Sequence, residues 1–144
     1  MQIIPTTPTV PGHPEYFTGA VWIDGIISPQ DPSQRMVVTR VRFAPGARTA
    51  WHTHVHGQTL HITQGTALFS SRDGSVLRVS AGETVYALPG EEHWHAAVPD
   101  SFMEHLAGME NGDDPAATTT WLEPVSEADY RAAAEGQPGV SNPR

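Results

Sequence analysis

Hydrophobic and polar residues alternate along most of this chain, which is the pattern of strands with one buried face. In residues 35–43 the side chains of Val37, Thr39, Val41 and Phe43 share a face and predict a strand. Further extended segments are predicted around 20–23, at 58–64 (where Gln58, Leu60 and Ile62 share a face), and at 83–88, 93–98, 102–109 and 118–122. Gly65 is expected to break the chain between 58–64 and 66–71. Arg72-Asp73-Gly74-Ser75 lies between the β segments 66–71 and 76–79, and Asp-Gly there predicts a hairpin, because it supplies the positive φ of a tight turn. Many short strands punctuated by Gly and Pro argue for an all-β antiparallel sandwich or barrel. One helix is expected: Ser126 caps it, Ala132-Ala133-Ala134 favours it and Gly136 ends it.

Residues 1–15, with four prolines, read as an extended N-terminal arm, either flexible or laid across a partner. Residues 16–136 form the single domain, and 137–144 are expected to be a disordered tail. A length of 144 residues with 38% hydrophobic content supports one core.

Charge and composition narrow the function. The net charge is −8 and the eight basic residues are scattered, so no basic stripe exists for nucleic acid. Apolar runs are too short to span a membrane. With no cysteine, disulfides and thiolate ligands are excluded, and a metal would need His, carboxylate, amide or water. The absence of cysteine and of a signal-peptide pattern at the N-terminus leads us to expect a cytoplasmic protein.

The histidines carry the chemistry. Seven of eight fall between positions 52 and 105. His52-Thr-His54 and His93-Trp-His95 each follow a Pro-Gly turn signal, Pro45-Gly46 and Pro89-Gly90. On a strand, residues two apart point the same way, so two such pairs facing each other would surround one point with imidazoles. Neutral imidazole is the commonest protein metal ligand. By the same parity His95 shares the face of His93, while His105 shares a face with Met103, Ala107 and Met109. Each of these two could be a general base or simply a buried, hydrogen-bonded histidine. His56 precedes a turn and His61 has the opposite parity to Gln58, so both read as structural or surface residues.

At these residues the sequence resembles a cupin. The first cupin motif, Gly, His-x-His, Glu and Gly, is matched within 46–65 by Gly46, His52, His54, Gln58 and Gly65; the second is matched within 82–95 by Gly82, Pro89, Gly90 and His93. The resemblance implies a double-stranded β-helix (jelly-roll) barrel with a divalent metal held by His52, His54, Gln58 and His93. Position 58 departs from the family pattern, which has glutamate there. An amide oxygen can ligate but adds no charge, leaving a stronger Lewis acid. The stretch from Phe43 to His54, with Gly57-Gln58 and Pro89-Gly-Glu-Glu-His-Trp-His, is similar to the manganese-dependent bacterial cupin hydroxynitrile lyases. That likeness implies manganese, with iron, zinc or nickel as alternatives. It also implies His95 and His105 as catalytic groups and a pocket bordered by Thr39, Val41, Thr49 and Met109. The resulting expectation is a lyase acting on a small hydroxylated molecule such as a cyanohydrin, in a homodimer or higher homo-oligomer. A metal-dependent dioxygenase and a non-catalytic small-molecule binder remain as alternatives.

Overall fold

The computed structural model describes residues 1–136; the expected tail at 137–144 lies outside the described residues. In chain order the strands are β1 (Val10–Pro11), β2 (Phe17–Thr18), β3 (Val21–Ile27), β4 (Met36–Phe43), β5 (Arg48–Thr49) and β6 (His52–His54). They continue as β7 (Gln58–Ser71), β8 (Val76–Ser80), β9 (Thr84–Ala87), β10 (His93–Ala97), β11 (Met103–Glu110) and β12 (Thr119–Trp121). A 3-10 turn, Pro115–Ala117, precedes β12, and α1 (Glu127–Glu135) closes the described chain.

All pairings are antiparallel, and they form two sheets that share β7. One sheet runs β1, β3, β4, β11, the first half of β7, and β9. The other carries β8, the second half of β7 and β10, with β5 and β6 against the far edge of β10, β2 beyond β5 and β12 beyond β6. The fold is thus the all-β curled barrel expected, with one short C-terminal helix. The arm is not free along its length: Val10 pairs with Ile23 and Pro11 with Trp22 on this chain's own β3.

Gly65 bends the chain rather than ending a strand. β7 continues for fourteen residues through it, changing partners from β11 and β9 to β10 and β8. Gly65 has φ +74°, and a Cβ there would meet the Phe102 carbonyl oxygen at 1.9 Å, so only glycine fits the corner.

The strands bury two cores. Between the sheets lie Val41, Phe43, Leu60, Ile62, Phe69 and Met103, the alternating apolar positions. On the outer side of the second sheet Trp51, Leu68, Trp94 and Val98 pack beneath Val125, Tyr130 and Ala133. Ser126 caps α1 by accepting from the Asp129 N–H at 3.0 Å. The helix is then anchored by Tyr130, whose hydroxyl donates to the Ala97 carbonyl at 2.8 Å. Arg48, only 6% exposed, lies over the Tyr130 ring at 4.8 Å and reaches Glu127 at 3.1 Å.

Candidate metal centre

Three strands bring the histidines together inside the barrel, and a fourth adds Gln58. On β6 the pleat turns His52 and His54 inward and leaves Thr53 between them partly exposed. Opposite, β10 alternates as well: His93, His95 and Ala97 face the interior while Trp94 and Ala96 face the outer core under α1. The two strands meet in register at His93 and His52. Gln58 opens β7 after a turn at Gly57, and His105 projects from β11, opposite Val41 and Ile62.

The rings are packed closely. Centroids lie 4.4 Å apart for His52 and His93, 5.0 Å for His52 and His54, and 5.1 Å for His52 and His95. One ring nitrogen from each of His52, His93 and His95 falls within 4.8 Å of the other two. His54 stands just outside that triple, with its centroid 5.6 Å from that of His93. His105 is set behind His95, its Nε2 at 3.0 Å from His95 Nδ1. His56 and His61 are exposed, and His61 bonds Thr84 at 2.9 Å instead.

Whether these residues fit a metal ion is decided by their hydrogen bonds. Nδ1 of His52 meets the Ala50 carbonyl at 2.9 Å, and Nδ1 of His93 meets the Glu91 carbonyl at 3.0 Å. A carbonyl only accepts, so each Nδ1 carries the proton and each Nε2 is left as a lone pair. Nδ1 of His54 lies 3.0 Å from Thr119 Oγ1. The Nε2 atoms of His54, His93 and His95 and the Oε1 of Gln58 are buried without a hydrogen-bond partner. Buried polar atoms are nearly always paired, so unpartnered atoms on His54, His93, His95 and Gln58 fit a site for a cation. The donor set, imidazole with one amide oxygen, suits a divalent first-row metal.

Electrostatics agree. Burial drives His52 and His95 well below the ordinary imidazole value, and the neighbouring histidines add repulsion between like charges. His54 is pushed down to about 4 by burial and then by His93, with the Gln58 side chain acting in the opposite direction. His93 is lowered by burial, and His105 falls to about 4 for the same reason. Neutral imidazoles are the form that ligates.

Two cavities border the cluster. One, of about 250 Å³, has walls of Phe69, Leu77, Val85 and Ala87 with His93 among its lining, and Asp73 and Glu91 add acidic groups. The other, of about 320 Å³, is lined by Met36, Val38, Gln58, Tyr86 and Met109. No arginine lines either. Of the residues expected at a pocket, Met109 borders the second cavity, while Thr39, Val41 and Thr49 border neither. Val41 is packed in the core, Thr39 is half-buried on β4, and Thr49 uses its hydroxyl to accept from the His95 backbone N–H at 3.2 Å. The residues that sequence reasoning missed are the partners of the imidazoles. Ala50 and Glu91 have a local signal, since each lies two positions before its histidine. Thr119 has none, because it reaches His54 only through the pairing of β12 with β6.

The chain is 42% identical over 120 residues to a protein named (R)-mandelonitrile lyase from Granulicella tundricola, spanning 83% of this chain and 89% of the relative. The family model described as a cupin domain matches residues 39–106. The chain is a cupin. Among solved structures, this cupin superposes on a cupin-like protein from Thermotoga maritima with a TM-score of 0.82 and 31% identity, covering 95% of this chain and all (100%) of that one. The polyketide cyclase RemF from Streptomyces resistomycificus shares the fold, at a TM-score of 0.66 and 18% identity over 91% of each chain. No helix among the described residues of the cupin is long and apolar enough to cross a membrane.

Proposed function

We propose that this cupin is a metal-dependent lyase acting on a small, neutral, cyanohydrin-like alcohol. The observation that carries the reading is the set of buried donor atoms without protein partners, in a chain 42% identical to a protein named (R)-mandelonitrile lyase. His52, His54, Gln58 and His93 would hold the ion, with manganese the favoured metal and iron, zinc or nickel the alternatives. The ion supplies Lewis acidity toward a hydroxyl oxygen.

His95 is the base in this reading. Its Nδ1 lies 3.0 Å from His105 Nε2, a pair in which either nitrogen can donate; with the proton on His95 Nδ1, its unpartnered Nε2 carries a lone pair into the cluster. It takes the hydroxyl proton of the cyanohydrin. The carbonyl forms as the C–C bond to the nitrile breaks, the bonding pair leaves with cyanide, and the proton passes to it to give HCN. His105, fully buried behind His95, would hold that imidazole in place. Cavities with apolar walls and no arginine favour a neutral substrate over a carboxylate.

The test is to load the protein with Mn²⁺, add mandelonitrile, and follow benzaldehyde release against a His93→Ala control. Release above the control supports the lyase. No difference across several cyanohydrins, with oxygen uptake on phenolic substrates instead, would replace it with an oxygenase reading. Exposed Val10, Trp22, Ile26 and Ile27 on β1 and β3 support assembly into a homodimer or higher homo-oligomer, read by light scattering.

A further inference from the structure

The imidazoles of the cluster are not all held in the same way. His52 and His93 are fixed by backbone carbonyls that can only accept. His54 is different, because its Nδ1 partner is the hydroxyl of Thr119, which can either donate or accept. If Thr119 donates, His54 must carry its proton on Nε2, and no lone pair is left there for an ion. If Thr119 accepts, Nδ1 carries the proton and Nε2 is free to ligate.

What decides between them is the next contact along. Thr119 Oγ1 lies 3.9 Å from the Sδ of Met109, within reach of a sulfur hydrogen bond. A thioether has no proton and can only accept. With its hydroxyl hydrogen turned to Met109, Thr119 offers His54 a lone pair. The placement is rigid. Thr119 sits directly opposite His54 in the β12–β6 pair, its branched side chain has few rotamers, and Met109 comes from β11.

We propose that Thr119 is a positioning residue: with its hydroxyl proton committed to Met109, it holds His54 in the Nδ1–H tautomer and leaves Nε2 available to a metal ion. The inference rests on the reading of His54 as a ligand. It makes Met109 more than a wall of a cavity, because its sulfur sets the direction of the relay. It also makes the affinity for metal depend on a threonine that ligates nothing. The Gln58 amide is the competing influence, since its oxygen, like His54 Nε2, is buried without a partner and would favour the opposite tautomer if it took an Nε2 proton.

The experiment uses the full chain in two forms. In the metal-free protein, long-range ¹H–¹⁵N correlations of the imidazoles read the His54 tautomer. Wild type and Thr119→Ser should show a protonated Nδ1 and a bare Nε2. Thr119→Val, the same shape without the hydroxyl, should move proton population to Nε2. Met109→Leu should do so in part, by freeing the hydroxyl to donate. In the second form, Mn²⁺ affinity is measured by competition with a chelator, with His54→Ala as the floor. Thr119→Val should lose about 10–100-fold, the usual effect of removing a group that orients a ligand, and Thr119→Ser should stay near wild type. Melting temperatures separate this from general destabilisation, and Met109→Leu serves if Thr119→Val does not fold. An Nε2–H tautomer in wild type, or no change of tautomer and affinity in Thr119→Val, overturns the proposal. Loss of the expected tautomer pattern condemns the relay alone. A correct tautomer in a wild-type protein that binds no metal condemns the ligand reading and leaves the relay standing.

Discussion

Acidification should destabilise the metal-free protein before its carboxylates titrate. His54 and His105 are buried, and each falls from the ordinary imidazole value of 6.5 to about 4. In the unfolded chain both recover the ordinary value. The unfolded state therefore binds more protons between these limits, and stability rises with pH there. The stabilisation is fully present above 6.5 and is lost as pH falls toward 4. At about pH 5 each group costs ~2 kcal/mol, or ~4 kcal/mol for the pair, by linkage. A domain is stable by only ~5–15 kcal/mol in all. At about 2–4 °C per kcal/mol for a chain of this size, the melting point should drop by ~10 °C. His52 and His95 are lowered too and push the same way. The assay is thermal unfolding by circular dichroism of chelator-treated protein at about pH 7.5 and pH 5. In His105→Leu the difference between the two pH values should shrink by ~2 kcal/mol. Equal midpoints at both pH values, or a higher one in acid, would refute the reasoning.

Three further outcomes are expected. His54→Ala should lose most bound metal by elemental analysis, and Gln58→Glu should bind it more tightly because a carboxylate adds attraction; weaker binding by the glutamate variant would remove Gln58 from the ligand set. His95→Ala should keep its metal and lose about 10²–10⁴ in cyanohydrin cleavage rate, and an unchanged rate would acquit His95 as the base. Gly65→Ala should cost more than about 3 kcal/mol in denaturant unfolding, since the added Cβ combines a left-handed backbone with a clash against the Phe102 carbonyl.

Much of this was legible because strand parity is a short-range rule. His52 with His54, and His93 with His95, had to face alike, and the structure has all four buried. Asp73-Gly74 marked the β7–β8 hairpin, and Ser126 marked the start of α1. What stayed hidden depends on long-range pairing. β1, β2 and β5 are two residues each, too short for a period to show, and they exist only because a neighbouring strand lies alongside. Gly65 looked like a break because a glycine between β segments gives the same local signal for an end and for a bend. The Phe102 carbonyl that distinguishes the two is thirty-seven positions away. The burial of Arg48 was equally invisible, since its partners Tyr130 and Glu127 arrive from the far end of the chain.

The pairing of β10 with β6 has a kinetic consequence. His52, His54 and Gln58 lie within one turn of each other in sequence, but His93 must come from another strand before the cluster exists. An ion shared by these residues would close a loop through four strands, in a chain with no cysteine to make a covalent clasp. Such a clasp forms only after β10 has docked, so it acts late on the folding path. It would leave the folding rate nearly untouched and slow unfolding instead, making the metal a determinant of the protein's lifetime rather than of its assembly.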